Sequence, residues 1–210
     1  MPRSRTFREA GVTLTLYDRG THHELMIGDV PILTSALLGT ERDFGRIVAK
    51  SARRVVVGGL GFGSTLAGVL EKVGASARVL VVEKLETVIR LAGTRDARWP
   101  ARGVLDDPRV EIVRADVRDV IARERDLDAI LLDVDNGPEW ASFRENARLY
   151  DARGLAAAKR ALRSGGIYAV WSGYPVDAFL VRLRRAGLRA SVVPFVERGK
   201  LQARAYVGKK

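Results

Sequence analysis

Short runs of aliphatic and β-branched residues, each closed by glycine, an acid or turn chemistry, alternate along this chain with amphipathic stretches of helical period. The first half-buried pattern is Val12–Tyr17, where apolar and polar residues alternate with period two. Glu24–Ile27 and Val30–Leu33 continue it after turns at Asp18-Arg19-Gly20 and Gly28-Asp29, so residues 11–34 predict a β-meander. A helix is expected over Gly39–Ala52, with Thr40 as N-cap and Glu41 and Asp43 in its first turn. The alternation proper then begins. Strands are predicted at Arg53–Val57, Ala77–Val82, Arg109–Arg114, Asp128–Asp133 and Ile167–Trp171. Helices are predicted at Ser64–Val73, Lys84–Ala97, Val117–Arg125, Asp151–Arg163 and Asp177–Ala186. Leu188–Phe195 and Lys200–Val207 close the chain as an antiparallel hairpin turning through Glu197-Arg198-Gly199.

Continuous apolar strands alternating with helices predict an α/β, doubly wound, mostly parallel sheet of seven strands, because strands covered on both faces lose the polar half of their alternation. A C-terminal hairpin in place of another strand–helix unit favours the class I methyltransferase fold over the nicotinamide-binding one. Two segments follow: an N-terminal β-meander over 1–38 and a Rossmann-like domain over 39–210.

Composition narrows the chemistry. At 210 residues and 47% hydrophobic the chain can bury one substantial core. No apolar run approaches the length of a membrane span, and residues 1–8 lack the apolar stretch of a secretory leader. The absence of cysteine removes disulfides, thiolate metal sites and thiol nucleophiles and fits a cytoplasmic protein. The two histidines, His22 and His23, are adjacent, so neither a histidine-based triad nor a metal site is expected. The net charge of +11 comes from 36 cations, only seven of them lysine, dispersed along the chain. Dispersed arginine reads as a solvated surface rather than a nucleic-acid footprint, which needs clustering with interleaved aromatics.

In open α/β sheets ligands sit at the carboxyl ends of the strands. The first strand there runs into Gly58, Gly59, Gly61 and Gly63, a loop that lets a ligand lie against the backbone at the positive end of a helix. The second ends in Glu83, with Lys84 beside it, where a carboxylate can accept from ribose hydroxyls. The third ends in Asp116, flanked by Ala115 and Val117 and suited to an adenine amino group between apolar contacts. The fourth ends in Asp133, with Asp135 and Asn136 following, and the fifth in Trp171 and Tyr174, which supply aromatic walls. Acids at three successive strand ends opposite a glycine loop without the GxGxxG register point to an adenosyl-sulfonium ligand rather than NAD.

These residues resemble the spermidine synthase (polyamine aminopropyltransferase) family, in a short divergent branch. The resemblance runs from Gly28-Asp-Val-Pro-Ile-Leu-Thr34 through the glycine loop, Val81-Val-Glu83, Asp107–Ile112 to Asp116, and Asp128–Asp133, to Leu149-Tyr150 and Leu162–Ile167. It implies Glu83 on the ribose, Asp116 on the adenine, and Asp133 as the residue that positions and deprotonates an attacking amine. It also implies a homodimer through the meander. The departures are informative. The family's loop aspartate, which grips the amino group of decarboxylated S-adenosylmethionine, is missing from Leu60-Gly61-Phe62. The family's second motif aspartate falls on Asn136, with Asp135 as a substitute, and its Tyr-His pair is replaced by Glu41-Arg42-Asp43-Phe44. The loop after Asp133 is also changed, and Trp140 within it is expected as an acceptor contact or a lid, packing being the commoner use of such a residue.

The expected function is therefore transfer of an alkyl group, methyl somewhat favoured, from an S-adenosylmethionine-type donor to a small amine, with Asp133 and Asp135 as catalytic carboxylates. The alternatives are true aminopropyl transfer from decarboxylated S-adenosylmethionine, and a non-catalytic adenosyl-ligand or RNA-binding protein.

Overall fold

The computed structural model describes residues 3–9, 11–36, 38–93, 102–134, 138 and 144–210. Two sheets form. The smaller is a four-stranded antiparallel meander of β1 (Arg3–Glu9), β2 (Val12–Asp18), β3 (His23–Ile27) and β4 (Val30–Thr34), in chain order. Its first strand is absent from the sequence reading. Arg-Ser-Arg-Thr-Phe-Arg-Glu shows no apolar alternation, and β1 is held mainly by its seven-residue ladder to β2, from Arg3↔Asp18 to Glu9↔Val12. Leu14, Leu16 and Leu25 turn one face of this sheet into the main core.

The larger sheet has seven strands. They are β5 (Arg54–Gly58), β6 (Arg78–Glu83), β7 (Val110–Arg114), β8 (Leu127–Leu132), β9 (Leu162–Ser172), β10 (Arg189–Glu197) and β11 (Lys200–Lys209). Their spatial order is β10-β11-β9-β8-β5-β6-β7, with β5 to β9 parallel and β11 antiparallel to its neighbours β9 and β10. This is the doubly wound sheet closed by a hairpin that the pattern predicts. Arg198 and Gly199 both take positive φ, as a two-residue turn matched to strand twist requires. The order reverses between β5 and β8, which makes the carboxyl end of β5 the switch point where ligands lodge.

The helices are α1 (Gly39–Gly45), α2 (Ser64–Lys72), α3 (Glu86–Ala92), α4 (Val117–Arg123), α5 (Ala152–Ala161) and α6 (Asp177–Arg185). Several are shorter than their sequence patterns. The helix expected to reach Ala52 stops at Gly45, and its N-cap is Leu38, while Thr40 is buried. The helix crosses α2 closely. A Cβ on Gly45 would stand 2.1 Å from the Thr65 carbonyl, and one on Gly68 2.0 Å from the Arg42 carbonyl. α3 begins at Glu86 rather than Lys84 and runs to Ala92, the predicted residues 94–97 lying outside the described ones, and β9 begins at Leu162, ahead of the predicted Ile167. Two apolar layers cover the sheet. One joins α1, α2, α3 and the meander, and the other α4, α5 and α6. Among the described residues no helix is long and apolar enough to cross a membrane.

Candidate active site

A cleft of about 710 Å³, counted out to open solvent, lies at the carboxyl ends of β5, β6, β7 and β8. Gly59, Gly61, Glu83, Lys84, Asp116, Val117 and Asp133 all line it, joined by Ile32 and Leu33 from the meander. Gly58 and Gly63 instead build the turn. A Cβ on Gly58 would meet Leu132 and Val117 at 2.8 Å, and Gly63 is the left-handed residue ahead of α2. Gly59, at φ +88°, allows the loop to press against the end of β8, since a Cβ there would stand 2.2 Å from the Asp133 carbonyl. Gly61 is the open position: its Cβ would meet only a Leu33 methyl at 3.5 Å. Leu60 and Phe62 are almost wholly buried and belong to the core.

Glu83 is tied to the glycine loop. One carboxylate oxygen accepts from the Leu60 amide at 3.0 Å, the other from the Lys84 and Leu85 amides at 2.8 Å each. Burial raises its pKa despite these three donors, with the charge of Glu9 adding to the effect. A carboxylate has about four acceptor positions. Among the described residues three are filled from the backbone, which leaves one facing the cleft.

Asp116 caps α4, accepting from the Arg118 amide at 2.9 Å, and its second oxygen takes the Arg118 guanidinium at 2.7 Å. The Arg118 guanidinium holds this carboxyl below its ordinary value, with the Arg118 amide assisting, against the opposing effect of burial. Asp116 is thus engaged by an arginine that sequence alone did not implicate.

Asp133 Oδ2 accepts from Thr65 Oγ1 at 2.6 Å, and the same hydroxyl lies 3.2 Å from the Glu41 carbonyl. This places Asp133, the first turn of α2 and α1 around one point. Glu41 stands there too. Burial raises its carboxyl well above the ordinary value, reinforced by the negative charges of Asp133 and Glu197, so the group retains its proton well above that value. Glu197 reaches in from the end of β10, its carboxylate 3.1 Å from the Cβ position of Gly39 and its Oε2 buried without a hydrogen-bond partner. Among the described residues no group of acids and histidines is placed to hold a metal ion. Asp133 and Glu197 thus place negative charge on either side of a protonated Glu41.

Trp171 lies on β9, packed against the main core, with its indole N–H buried and unpartnered. Tyr174 is half exposed just beyond, its amide hydrogen-bonded to Ser172 Oγ at 3.3 Å. Asp135, Asn136 and Trp140 lie outside the described residues. Sequence reasoning missed Thr65, Glu197 and the role of Glu41. Only Thr65 carried a local signal, as a hydroxyl immediately after the glycine loop.

The topology is a doubly wound seven-stranded sheet closed by a hairpin, with the cleft and its strand-end acids at the switch point. Compared by sequence, the chain matches no family model and no curated protein. Compared by structure, it superposes on a spermidine synthase in complex with the transition-state analogue AdoDATO, with a TM-score of 0.73 and 16% identity. The match covers 98% of this chain and 71% of that one. Spermidine synthase from Thermotoga maritima gives 0.72 at 18% identity over the same shares. A S-adenosylmethionine-dependent O-methyltransferase from that organism gives 0.60 at 20%, covering 98% and 77%. The spermidine synthase fold, meander included, is the fold of this chain.

Proposed function

We propose that this protein transfers an alkyl group, methyl in preference to aminopropyl, from an S-adenosylmethionine-type donor to a small amine. The observation that carries the reading is the convergence of Gly59, Gly61, Glu83, Asp116 and Asp133 on one cleft at the switch point. The cleft fits the donor. Gly59 gives a backbone wall without a Cβ, Glu83 retains one acceptor position, and Val117 and Ala115 offer apolar contact for a base. When bound, the donor supplies an alkyl carbon activated by a positively charged sulfur.

The chain's own residues do the rest. An amine attacks only through its free lone pair, so its proton must leave, and Asp133 at the cleft edge is the acceptor for it. Thr65 fixes the Asp133 carboxylate in one orientation, which favours a near-attack arrangement. Asp133 and Glu197 supply negative charge beside the protonated Glu41, and that charge attracts a cationic amine despite the net charge of +11. Methyl transfer is preferred because no carboxylate projects from Leu60-Gly61-Phe62 to hold the ammonium of a decarboxylated donor. The backbone amides beside α2 suit an intact carboxylate instead.

The meander is proposed to carry the contact of a homodimer, and the cytoplasm is the proposed location. The test is replacement of Asp133 by Asn. Turnover is expected to fall by about 10²–10⁴, the usual contribution of a positioned acid or base, while S-adenosylhomocysteine still binds. Turnover surviving that change would remove Asp133 from the mechanism.

A further inference from the structure

The donor cleft is built almost entirely from the large sheet, yet one buried charge reaching its wall comes from the N-terminal strand. Glu9 is the last residue of β1, and its side chain is only 9% exposed. One of its oxygens accepts from the Glu86 amide at 2.7 Å and the other from the Thr87 amide at 2.9 Å. These are the first two helical residues of α3, whose own N-cap residue, Leu85, has no side chain able to satisfy them. Arg114, at the end of β7 and paired in register with Glu83, adds an ion pair to Glu9 at 3.1 Å. It also approaches Glu86 at 3.5 Å.

The geometry points to Glu9 as a positioning residue for the donor site. Between the ribose-facing carboxylate of Glu83 and the amides held by Glu9 lie only Lys84 and Leu85, and both line the cleft. Glu83 fixes the near side of this short connection by accepting from the Lys84 and Leu85 amides. Glu9 fixes the far side. The connection is thus clamped at both ends by carboxylates, one from its own strand and one from a strand about 75 positions earlier. Helix N-termini without a cap leave N–H groups unpaired and fray. Loss of Glu9 frees α3 to shift its first turn and with it Lys84, Leu85 and the orientation of Glu83. The meander therefore holds the donor pocket in shape in addition to lining it through Ile32 and Leu33.

This inference rests on the donor reading above, and two measurements separate the two. The first is hydrogen exchange at the Lys84–Val88 amides of the unliganded protein, which needs no donor. The second is the dissociation constant for S-adenosylhomocysteine by calorimetry. Glu9→Ala is expected to accelerate exchange at Glu86 and Thr87 while the β5 and β8 amides stay protected. It should weaken S-adenosylhomocysteine about tenfold, within the range set by loss of a helix cap. Glu9→Gln keeps one acceptor oxygen and should fall between. Glu111→Ala, which removes only the exposed ion pair with Arg78, is the control and leaves both readouts unchanged. Unchanged exchange at Glu86 and Thr87 in Glu9→Ala would overturn the clamp. Faster exchange with an unchanged dissociation constant would overturn its link to the donor. Failure of the wild-type protein to bind S-adenosylhomocysteine would overturn the donor reading itself, with the exchange result still deciding whether the clamp exists.

Discussion

Gly61 offers a direct way to move donor preference. It is the one loop glycine whose Cβ would point into open space at the cleft, meeting only Leu33 at 3.5 Å. Gly61→Asp installs a carboxylate there without steric conflict. The backbone cost comes from φ +50°, a left-handed conformation that aspartate tolerates better than most residues, at about 1 kcal/mol. That strain falls on folding, equally in the free and bound protein, while a charge-assisted hydrogen bond to the ammonium of decarboxylated S-adenosylmethionine contributes about 1.5–3 kcal/mol to binding. At about 1.4 kcal/mol per factor of ten, affinity for the decarboxylated donor rises roughly 10- to 100-fold. The intact donor, whose own carboxylate faces the new one, loses affinity. Gly61→Asn meets the same backbone demand without charge and should leave the preference where it was. Titration calorimetry of both donors against the three proteins reads the ratio. If Gly61→Asp stays folded, within a few degrees of the wild-type midpoint, and the ratio does not move, the loop does not face the donor's tail.

Other parts of the site make separate predictions. Thr65→Val removes the 2.6 Å donor to Asp133 while keeping the shape of the side chain, so turnover should fall about tenfold with donor affinity unchanged, read as kcat against Kd. Asp128 accepts from the Arg53 and Arg54 amides and pairs with Arg163; burial opposes ionisation, but these donors outweigh it and lower the pKa. Its ionised form binds fewer protons folded than unfolded, so the stabilisation is present above its ordinary pKa and lost as pH falls through the lowered one. Asp128→Asn should therefore cost about 1–3 kcal/mol in denaturant melts at pH 7, with the difference shrinking under acid. Glu41 runs the other way. Its raised pKa means the folded state holds an extra proton, so stability declines as pH rises from the ordinary value of 4.5 towards the raised one. Glu41→Gln should flatten that decline in a pH series of melts.

The sequence made the sheet legible because its central strands are buried on both faces. Val55–Val57, Val79–Val82 and Ile130–Leu132 are apolar without alternation, and each ends in a glycine or acid that marks the carboxyl edge. The same logic found Glu83, Asp116 and Asp133 and brought them to one cleft. What escaped it depends on contacts distant in sequence. β1 has a single large apolar residue, Phe7, and is specified by its ladder to β2 rather than by its own pattern. α1 crosses α2 where Gly45 and Gly68 let two backbones touch, a contact that helical periodicity does not encode. Glu9 sits 74 positions from Glu83, Glu41 92 from Asp133 and Glu197 156 from Glu41, and each looked locally like an ordinary surface acid or turn residue. The glycine loop shows both sides. Its class was readable, but only the structure separates Gly61, which faces the cleft, from Leu60 and Phe62, which face the core.

The central claim is that the cleft holds an S-adenosylmethionine-type donor and prefers it with its carboxylate intact. Calorimetric titration of S-adenosylmethionine and of its decarboxylated form into the wild-type protein tests both halves at once. The account predicts saturable one-to-one binding of the intact donor, weaker binding of the decarboxylated one, and loss of both in Glu83→Ala. Tighter binding of the decarboxylated donor would contradict the preference, and no binding of either would contradict the site.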